Sequence, residues 1–285
     1  MSNRQTGILY IVGTPIGNLE DMTFRGVRIL QTVDLIAAED TRHTGKLLQH
    51  FQIQTPQLSY HDHNRTTRIP QLIGKLRTGE AIALVSDAGM PGISDPGYEL
   101  VKACISEGVA VVPIPGASAV ITALSAAGLP TDKFVFEGFL LAKTTQRRQQ
   151  LELLKAETRT MVFYESPHRL KASLQDLEEI FGGERQIVMA RELTKFYEEF
   201  WRGSITDAIS YYGKRKKEPQ GEYTLVISGK SPNQDQLSLE QIKAELTYMI
   251  SQGMPRSQAS RELAKITSLP RRQIYQLALS IDMVE

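Results

Sequence analysis

The sequence predicts an α/β protein built from two α/β domains and a C-terminal helical module. Three observations support this fold class. Apolar, β-branched runs alternate with helix-patterned segments over residues 7–130, and similar runs with shorter connections continue to about residue 229. A polar stretch then leads into three helical segments. We therefore predict domains at residues 1–127 and 128–230 and a helical module at residues 235–285.

Strands of the first domain are apolar along their whole length rather than alternating with polar residues. This pattern indicates a largely parallel sheet covered on both faces. The predicted strands are Gly7–Val12, Leu35–Ala38, Ala81–Val85 and Val109–Val112. The predicted helices are Phe24–Gln31, Thr41–His50, Thr66–Leu76 and Gly97–Glu107, with another helix opening after Pro115–Ala119.

The second domain follows a Gly-Pro break at Gly128–Pro130. Its connections are shorter, so we expect some antiparallel pairing. The predicted strands are Phe134–Phe136, Thr160–Tyr164, Gln186–Ala190, Phe200–Arg202 and Tyr223–Ser228. The predicted helices are Gln146–Lys155 and Pro167–Phe181.

The C-terminal module begins after a polar, turn-forming linker at Ser231–Asp235. Its predicted helices are Leu239–Gln252, Ser257–Thr267 and Arg271–Ile281. The last two helices are joined by a short turn, a spacing typical of helix-turn-helix units. Between Gly253 and Leu279 the module carries five basic residues against one acidic residue, Glu262, and we expect it to contact nucleic acid.

Composition excludes several classes of protein. With 33 Lys+Arg against 32 Asp+Glu the net charge is +1, which rules out a uniformly basic nucleic-acid coat. Cys104 is the one cysteine, so an intrachain disulfide or a Cys-based metal centre cannot form. The uncharged stretch Gly108–Pro130 is interrupted by prolines and glycine, and we expect a soluble, cytoplasmic protein with no membrane partner.

Three Gly-rich turns follow predicted strands: Gly13–Leu19, Ser86–Gly97 and Pro115–Ala119. The carboxyl ends of parallel strands lie at one edge of a sheet, where α/β proteins bind ligands. The turns carry neither a dinucleotide fingerprint nor a P-loop. Each alone could be an ordinary turn, and Asp95 is expected to cap the following helix. Together they predict a ligand-binding crevice.

Charged residues follow other predicted strand ends, at Glu39–Arg42, Phe163–Arg169 and Arg191–Lys195. These segments would concentrate charge between the two domains, although salt bridging is the competing explanation for about half of the charged residues. His61 and His63 resemble a metal pair, but no third ligand is placed by spacing, so we predict no metal site.

Taken together, these segments resemble the ribosomal RNA small-subunit methyltransferase I family, the RNA-modifying branch of the tetrapyrrole methylase superfamily. The resemblance rests on the Gly13–Leu19, Glu39–Arg42, Ser86–Gly97, Pro115–Ala119, Phe163–Arg169 and Arg191–Lys195 segments. It covers about the whole chain, helical tail included. One departure is Met90, where members of the family more often carry Thr.

The resemblance implies a two-domain tetrapyrrole-methylase-like architecture with a cofactor cleft between the domains, and a homodimer. It implies methyl transfer from S-adenosylmethionine to the ribose 2′-hydroxyl of a cytidine in the decoding region of small-subunit ribosomal RNA, free or in an assembled subunit. The cofactor residues implied are Pro15, Ile16, Asp87, Ala88, Gly89, Met90, Ile93, Ser118, Ala119, Tyr164, Gly221 and Glu222.

Methylation of a ribose hydroxyl, a weak acid, is helped by a positioned base or cation. The candidates are Asp40, Glu192 and Lys195, and the sequence leaves open which of them acts. Tyr164 is a candidate for stacking on RNA bases. The basic residues expected to contact RNA are Arg42, Arg147, Arg148, His168, Arg169, Arg191, Arg271 and Arg272.

Two other functions fit parts of the sequence. A precorrin methyltransferase on the same fold would use the crevice, but a small tetrapyrrole needs no basic helical module. A non-enzymatic RNA-binding or ribosome-assembly protein would use the basic tail, but it would leave the three Gly-rich turns without a purpose.

Overall fold

The computed structural model of the protein describes residues 6–215, 218–231, 239–267 and 269–281. The chain divides into two compact units, Met1–Ser228 and Gly229–Glu285. Most of the predicted linker at Ser231–Asp235 lies outside the described residues, as do two residues of the basic run 214–217.

The first sheet consists of five parallel strands in the order β3-β2-β4-β1-β5. The strands are β1 (Ile8–Val12), β2 (Leu35–Ala38), β3 (Gln57–Ser59), β4 (Ile82–Val85) and β5 (Ala110–Ile114). The intervening helices are α1 (Phe24–Thr32), α2 (Thr41–His50), α3 (Arg65–Arg77) and α4 (Tyr98–Ser106). The predicted parallel sheet is confirmed, although the short strand β3 was not predicted.

Helices cover both faces of this sheet, which explains why its strands are apolar along their length. On one face Leu30 of α1 and Leu48 of α2 pack with Val12. On the other face Leu72 of α3 and Leu100 of α4 pack in the core that contains the β1 residue Leu9. Strands β1, β2, β4 and β5 therefore each contribute side chains to two cores.

The second sheet has the order β6-β7-β10-β8-β9. Its strands are β6 (Phe134–Phe139), β7 (Thr160–Glu165), β8 (Gln186–Arg191), β9 (Glu199–Ser204) and β10 (Tyr223–Ile227). The pair β6–β7 is parallel and the other pairs are antiparallel, which confirms the expected mixture. The accompanying helices are α5 (Ala119–Ala127), α6 (Thr144–Leu154), α7 (Leu170–Phe181) and α8 (Ile205–Lys214).

Helix α8 was not predicted, although the sequence contains a signal for its start. The Ser204 hydroxyl accepts a hydrogen bond from the Asp207 backbone N–H, and the Asp207 carboxylate accepts one from the Ser204 N–H. This reciprocal arrangement is a capping box, which satisfies two N–H groups at the helix start. Recognising this Ser-x-x-Asp spacing would have found the helix.

Helix α5 follows the last strand of the first sheet but packs on the second. Its residues Val120, Ala123 and Leu124 lie in one core with Val162 of β7 and Val226 of β10. Helices α6, α7 and α8 cover the opposite face of the second sheet. The two sheets therefore meet within a single compact unit, with α5 between β5 and β6 in the chain.

A buried ion pair joins α6 to α7. Arg147 Nε donates to Asp176 Oδ2 at 2.7 Å, and only 3% and 4% of the two side chains are exposed. Arg148 Nε donates to the other oxygen of the same carboxylate at 2.7 Å. This corrects the expectation that Arg147 contacts RNA, because its guanidinium is enclosed in the protein.

The described residues of the second unit form three helices: α9 (Leu239–Ser251), α10 (Arg256–Ile266) and α11 (Arg271–Leu279). They share a core that includes Leu246, Leu263 and Ile274. The expected short connection between α10 and α11 gives a helix-turn-helix arrangement. No helix in the described part of the chain has the length and apolar character needed to cross a membrane.

We predict that Asp176→Ala lowers the free energy of unfolding by about 3–5 kcal/mol, because it leaves the Arg147 charge buried without a counter-ion. Denaturant unfolding followed by circular dichroism measures the change.

The matched control is Glu179→Ala. Glu179 pairs with Arg148 at the exposed end of the same network, and 60% of its side chain is exposed. We expect a loss of at most about 1 kcal/mol. Equal effects of the two substitutions would contradict a structural role for the buried pair.

Candidate active site

A cavity of about 460 Å³ lies in the first unit, between the carboxyl ends of the first sheet and residues of the second sheet. Ten of the residues predicted to bind a cofactor line it: Ile16, Asp87, Ala88, Gly89, Met90, Ile93, Ser118, Ala119, Tyr164 and Glu222. We call this space the main cavity. The other two predicted residues, Pro15 and Gly221, do not line it.

Backbone contacts hold the loops of this cavity together. Thr14 and Gly89 exchange hydrogen bonds, with the Thr14 N–H donating at 2.9 Å and the Gly89 N–H at 3.0 Å. A Cβ atom at Gly13 would lie 2.7 Å from Cα of Gly116, closer than such atoms approach. The turns after β1, β4 and β5 therefore touch through their main chains, and glycine is required where they are closest.

Asp95 lines the cavity instead of capping a helix. Helix α4 begins after Gly97, at which φ is 155°, and no side chain caps its first turn. Only glycine readily adopts that backbone conformation. The expectation that Asp95 is the helix cap was therefore wrong, and Asp95 instead lines the main cavity, where its carboxyl has a hydrogen bond with Ser86.

The walls of the main cavity carry an excess of negative charge. Five carboxyl groups line it, and the described lining residues include no Lys, Arg or His. Two of the five have cationic partners: Glu165 with Arg169 at 2.9 Å, and Glu222 with Lys195 at 3.0 Å. The three remaining groups belong to Glu39, Asp87 and Asp95.

These three acidic residues lie close to one another. The Glu39 carboxylate accepts a hydrogen bond from the Asp87 N–H at 3.3 Å, and the Asp87 carboxylate accepts one from the Asp40 N–H at 3.2 Å. Burial, with the nearby Glu39 charge, raises the pKa of Asp95 to about 7. Burial also raises the pKa of Glu39. A cationic ligand would relieve this crowding of like charges.

Lys195 lies at the edge of the cavity between two carboxylates. Its Nζ donates to Glu192 Oε1 and to Glu222 Oε2, both at 3.0 Å. Burial alone would lower the pKa of Lys195, but the two carboxylates outweigh burial and raise it. Lys195 is therefore held as an ammonium group, and this chemistry favours a cationic role over a role as a base.

The other two catalytic candidates are also held in their charged forms. Burial raises the pKa of Glu192, but hydrogen bonds from the Glu222 N–H and from Lys195 give a net lowering. Asp40 caps helix α2, and hydrogen bonds from Arg42 hold the pKa of Asp40 well below its usual range. Both carboxylates are consequently weak bases in this arrangement.

A smaller cavity of about 310 Å³ adjoins the main one. The two share wall residues Ile16, Asp87, Ala88 and Glu222. The smaller cavity is also lined by Pro15 and by three basic side chains, those of His43, Lys46 and Lys195. The smaller cavity therefore combines basic side chains, which the main cavity lacks, with the shared carboxyl groups of Asp87 and Glu222.

The residues predicted to contact RNA differ in accessibility. Arg42, His168, Arg271 and Arg272 are exposed. Arg148, Arg169 and Arg191 form ion pairs with Asp176, Glu165 and Glu199, respectively. The ring of Tyr164, expected to stack on bases, packs edge-on against Phe136 and Phe139. Burial raises the pKa of Tyr164 to about 12, and its ring forms cavity wall rather than exposed surface.

Sequence reasoning missed half of the main cavity. The lining residues not predicted are Glu39, Ser94, Asp95, Phe139, Glu165, Ser166, Pro167, Leu193, Tyr223 and Thr224. Seven of them lie within the segments that carry the family resemblance, and Tyr223 and Thr224 directly follow Glu222. Taking every residue of those segments, and the neighbours of Glu222, would have found these nine. Phe139 carried no such signal, since it enters the wall through a register shift between β6 and β7.

Comparisons with known families divide the chain in the same way as its fold. The family model described as Tetrapyrrole (Corrin/Porphyrin) Methylases matches residues 8–209. The model described as RsmI C-terminal HTH domain matches residues 246–282.

Curated relatives match over nearly the whole chain and are named Ribosomal RNA small subunit methyltransferase I. The relative from Synechocystis sp. is 58% identical, covering 97% of this chain and 99% of its own. Those from Escherichia coli O157:H7 and Bacillus subtilis are 45% and 46% identical, covering 98% and 94% of this chain and 96% and 93% of their own.

Solved structures of more distant proteins share the fold of the first unit. The methyltransferase CobJ aligns with a TM-score of 0.58 at 19% identity, covering 79% of this chain and 95% of its own. Uroporphyrin-III C-methyltransferase from Thermus thermophilus, solved with S-adenosylhomocysteine, aligns with a TM-score of 0.55 at 16% identity, covering 77% and 97%.

We predict that Asp95 makes stability depend on pH. Because its pKa rises from 3.8 to about 7 on folding, the stabilisation that it contributes is complete below pH 3.8 and is lost as pH rises towards 7. Asp95→Asn should remove this loss, so the variant gains stability relative to the wild type between pH 5 and 8. Melting temperatures across this pH range measure the difference.

The control is Asp132→Asn, which changes an exposed aspartate outside the cavity. Its melting curve should run parallel to that of the wild type at every pH. Parallel curves for Asp95→Asn as well would contradict an elevated pKa at this position.

Proposed function

Because the chain belongs to the ribosomal RNA small subunit methyltransferase I family, we propose that it methylates a cytidine in the decoding region of small-subunit ribosomal RNA, on the ribose 2′-hydroxyl. As a member of that family it is a methyltransferase that depends on S-adenosylmethionine. We propose in addition which nucleotide and which oxygen are methylated, and which residues act on them.

One observation carries the assignment of the donor to the main cavity: its walls offer carboxylates that have no cationic partner within the described part of the chain. S-adenosylmethionine has two cationic groups, the sulfonium and the ammonium, so the cavity and the cofactor are complementary in charge. Apolar side chains such as Ile16, Met90 and Ile93 offer contacts for the remainder of the molecule. The residues present therefore fit the cofactor.

We propose that the predicted residues of the main cavity hold the cofactor: Ile16, Asp87, Ala88, Gly89, Met90, Ile93, Ser118, Ala119, Tyr164 and Glu222. Gly221 supports this wall from behind. Its φ is 85°, and a Cβ there would lie 2.5 Å from the Glu192 carboxyl carbon. Pro15 shapes the adjoining smaller cavity.

The smaller cavity is the proposed position of the acceptor nucleotide. When bound in the main cavity, the cofactor supplies a methyl group already activated by the sulfonium charge. The residues of the chain then have to orient the acceptor hydroxyl, whose oxygen forms the new bond to the methyl group while its proton is released to solvent. Lys195 lines the smaller cavity and is held as an ammonium, which stabilises negative charge developing on the oxygen. Glu192 positions Lys195, and Asp40 positions Arg42.

RNA contacts are proposed for the accessible basic residues. Arg42, at the start of α2, has 89% of its side chain exposed even though it pairs with Asp40. His168, Arg271 and Arg272 are exposed as well. Arg148, Arg169 and Arg191 would have to share their guanidinium groups with the carboxylates that they already bind. We expect the protein to act in the cytoplasm as a homodimer, on free ribosomal RNA or on the assembled subunit.

The proposed reaction is tested by incubating the protein with S-adenosylmethionine and small subunits that lack the modification. Mass spectrometry of nuclease digests should find one added methyl group, on the ribose of a decoding-region cytidine. Lys195→Met should lower kcat about 100-fold, because the ammonium stabilises charge mainly in the transition state. Its affinity for S-adenosylmethionine, measured by calorimetry, should stay within about threefold of the wild type.

Lys195→Arg is the matched variant, since it keeps the positive charge beside Glu192 and Glu222. It should retain more activity than Lys195→Met. A methyl group on a base or elsewhere in the RNA, or no methylated RNA at all, would overturn the proposed acceptor.

The charge argument gives a second prediction, on ligand discrimination. S-adenosylhomocysteine lacks the sulfonium charge, so unpaired carboxylates should favour S-adenosylmethionine over it. Asp95→Asn and Glu39→Gln should each reduce the ratio of the two affinities about fivefold, which corresponds to about 1 kcal/mol. Calorimetric titrations with both ligands at pH 8 measure the ratio.

Here too Asp132→Asn serves as the control, because it removes a carboxylate that does not line the cavity. It should leave the ratio of affinities unchanged. If both cavity variants have the same ratio of affinities as the wild type, these carboxylates do not distinguish the ligands by the sulfonium charge.

A further inference from the structure

Two adjacent aromatic rings, those of Phe196 and Tyr197, stand exposed beside the proposed acceptor position. The exposed fractions are 94% for Phe196 and 68% for Tyr197. Their ring centroids are 5.0 Å apart, and the ring planes are nearly perpendicular. Large aromatic side chains are usually buried, so an exposed pair at the rim of a site points to a binding surface. We call this pair the aromatic rim.

The loop that carries the aromatic rim is held in one conformation. Glu192 and Thr194 both adopt positive φ, 51° and 65°, which costs free energy and persists only when the surroundings impose it. The Lys195 N–H donates to the Glu192 carbonyl at 3.0 Å. The Thr194 N–H donates to the Glu198 carboxylate at 2.6 Å. The two rings are therefore presented by an ordered backbone, so that little entropy is lost when a partner binds.

The position of the loop connects the aromatic rim to both cavities. Lys195, the residue before Phe196, lines the smaller cavity. Its Nζ contacts Glu222, which lines both cavities. A nucleotide in the smaller cavity would thus have its neighbours in the RNA chain within reach of the rings.

Charges around the aromatic rim select which part of RNA approaches it. Acidic and basic side chains balance around the rings: Glu192, Glu198, Glu199 and Glu222 against Arg191, Lys195, Arg202 and Arg215. A surface with no excess of positive charge gives phosphates little attraction but leaves the uncharged faces of bases free to stack. Phosphates would instead be favoured by α2, whose residues Thr41–His50 include Arg42 and Lys46 and no acidic side chain.

We propose that Phe196 and Tyr197 form a stacking platform for nucleobases next to the target nucleotide, so that the bases face β9 while the phosphates follow α2. This inference rests on the proposed function and assigns a new role to two residues of the same site. Stacking on aromatic side chains is tolerant of sequence, so the platform holds unpaired RNA open rather than reading its sequence.

Stacking on aromatic ring faces can be distinguished from simple contact with apolar surface. Phe196→Leu with Tyr197→Leu keeps apolar area but removes the aromatic faces, and it should raise KM for unmodified small subunits at least tenfold with kcat changed less than about threefold. Phe196→Trp, which keeps an aromatic face at this position, should leave KM at the value of the wild type. Leu153→Ala, which truncates an apolar side chain 87% exposed on α6, is the control and should change neither constant.

A second readout needs no methyl transfer. The chain has one tryptophan, Trp201, so Phe196→Trp in a Trp201→Phe background carries a single indole in the aromatic rim. Short single-stranded RNA should quench its fluorescence by stacking. Quenching without methylated product would support the platform while refuting the proposed function.

Two results would overturn the platform. One is an unchanged KM for the double leucine variant in a protein that methylates RNA as proposed. The other is a shift of the double leucine variant to a smaller oligomer in light scattering, with RNA affinity intact, which would assign the rings to contact with a second copy of the chain.

Discussion

Main-chain contact between neighbouring strand ends is the constraint on which the whole site depends. In the sheet β1 lies between β4 and β5, and the turn after β1 touches the turns after both neighbours. The Thr14–Gly89 hydrogen bonds join it to one side, and the Gly13–Gly116 approach joins it to the other. The distances between Ile16, on the turn after β1, and the residues of the other two turns follow from these backbone contacts. Only glycine permits the closest of them, which explains why the motifs of these turns are rich in glycine.

Charge in the first unit is divided between structural and functional roles according to whether a carboxylate has a partner. Glu165 receives hydrogen bonds from Arg169 and Ser173, and Asp176 is enclosed by two arginines. These groups stabilise the walls and the core. Glu39 and Asp95, by contrast, have raised pKa values because burial leaves their charges poorly compensated. Charges arranged in this way cost stability in the free protein and favour a cationic ligand.

Sequence reasoning predicted the parts of the structure that depend on local pattern. Apolar runs and helical periodicity located most elements of both sheets, and the Gly-rich turns predicted a crevice at the strand ends. The ten predicted residues that line the main cavity came from the family resemblance. It could not distinguish a solvated arginine from a buried one, since Arg147 and Arg148 are neighbours in sequence and both pair with Asp176, yet 3% and 43% of their side chains are exposed. It also could not foresee that the carboxylates flanking Lys195 raise its pKa, because that requires two segments, 191–195 and 221–222, to meet in space.

Helix α5 gives the two sides of the main cavity unequal freedom to open. Its first residues lie in the cavity wall, while Val120, Ala123 and Leu124 are buried in the core of the second sheet. Separating this wall would break apolar contacts that hold the fold together, so its local opening free energy approaches that of global unfolding. The loop Ser86–Gly97 carries exposed side chains such as Ile93, and its outer part can open without disturbing a core. Ligands are therefore expected to enter and leave on the loop side of the cavity. Amide hydrogens of α5 should exchange with deuterium more slowly than those of the loop Ser86–Gly97.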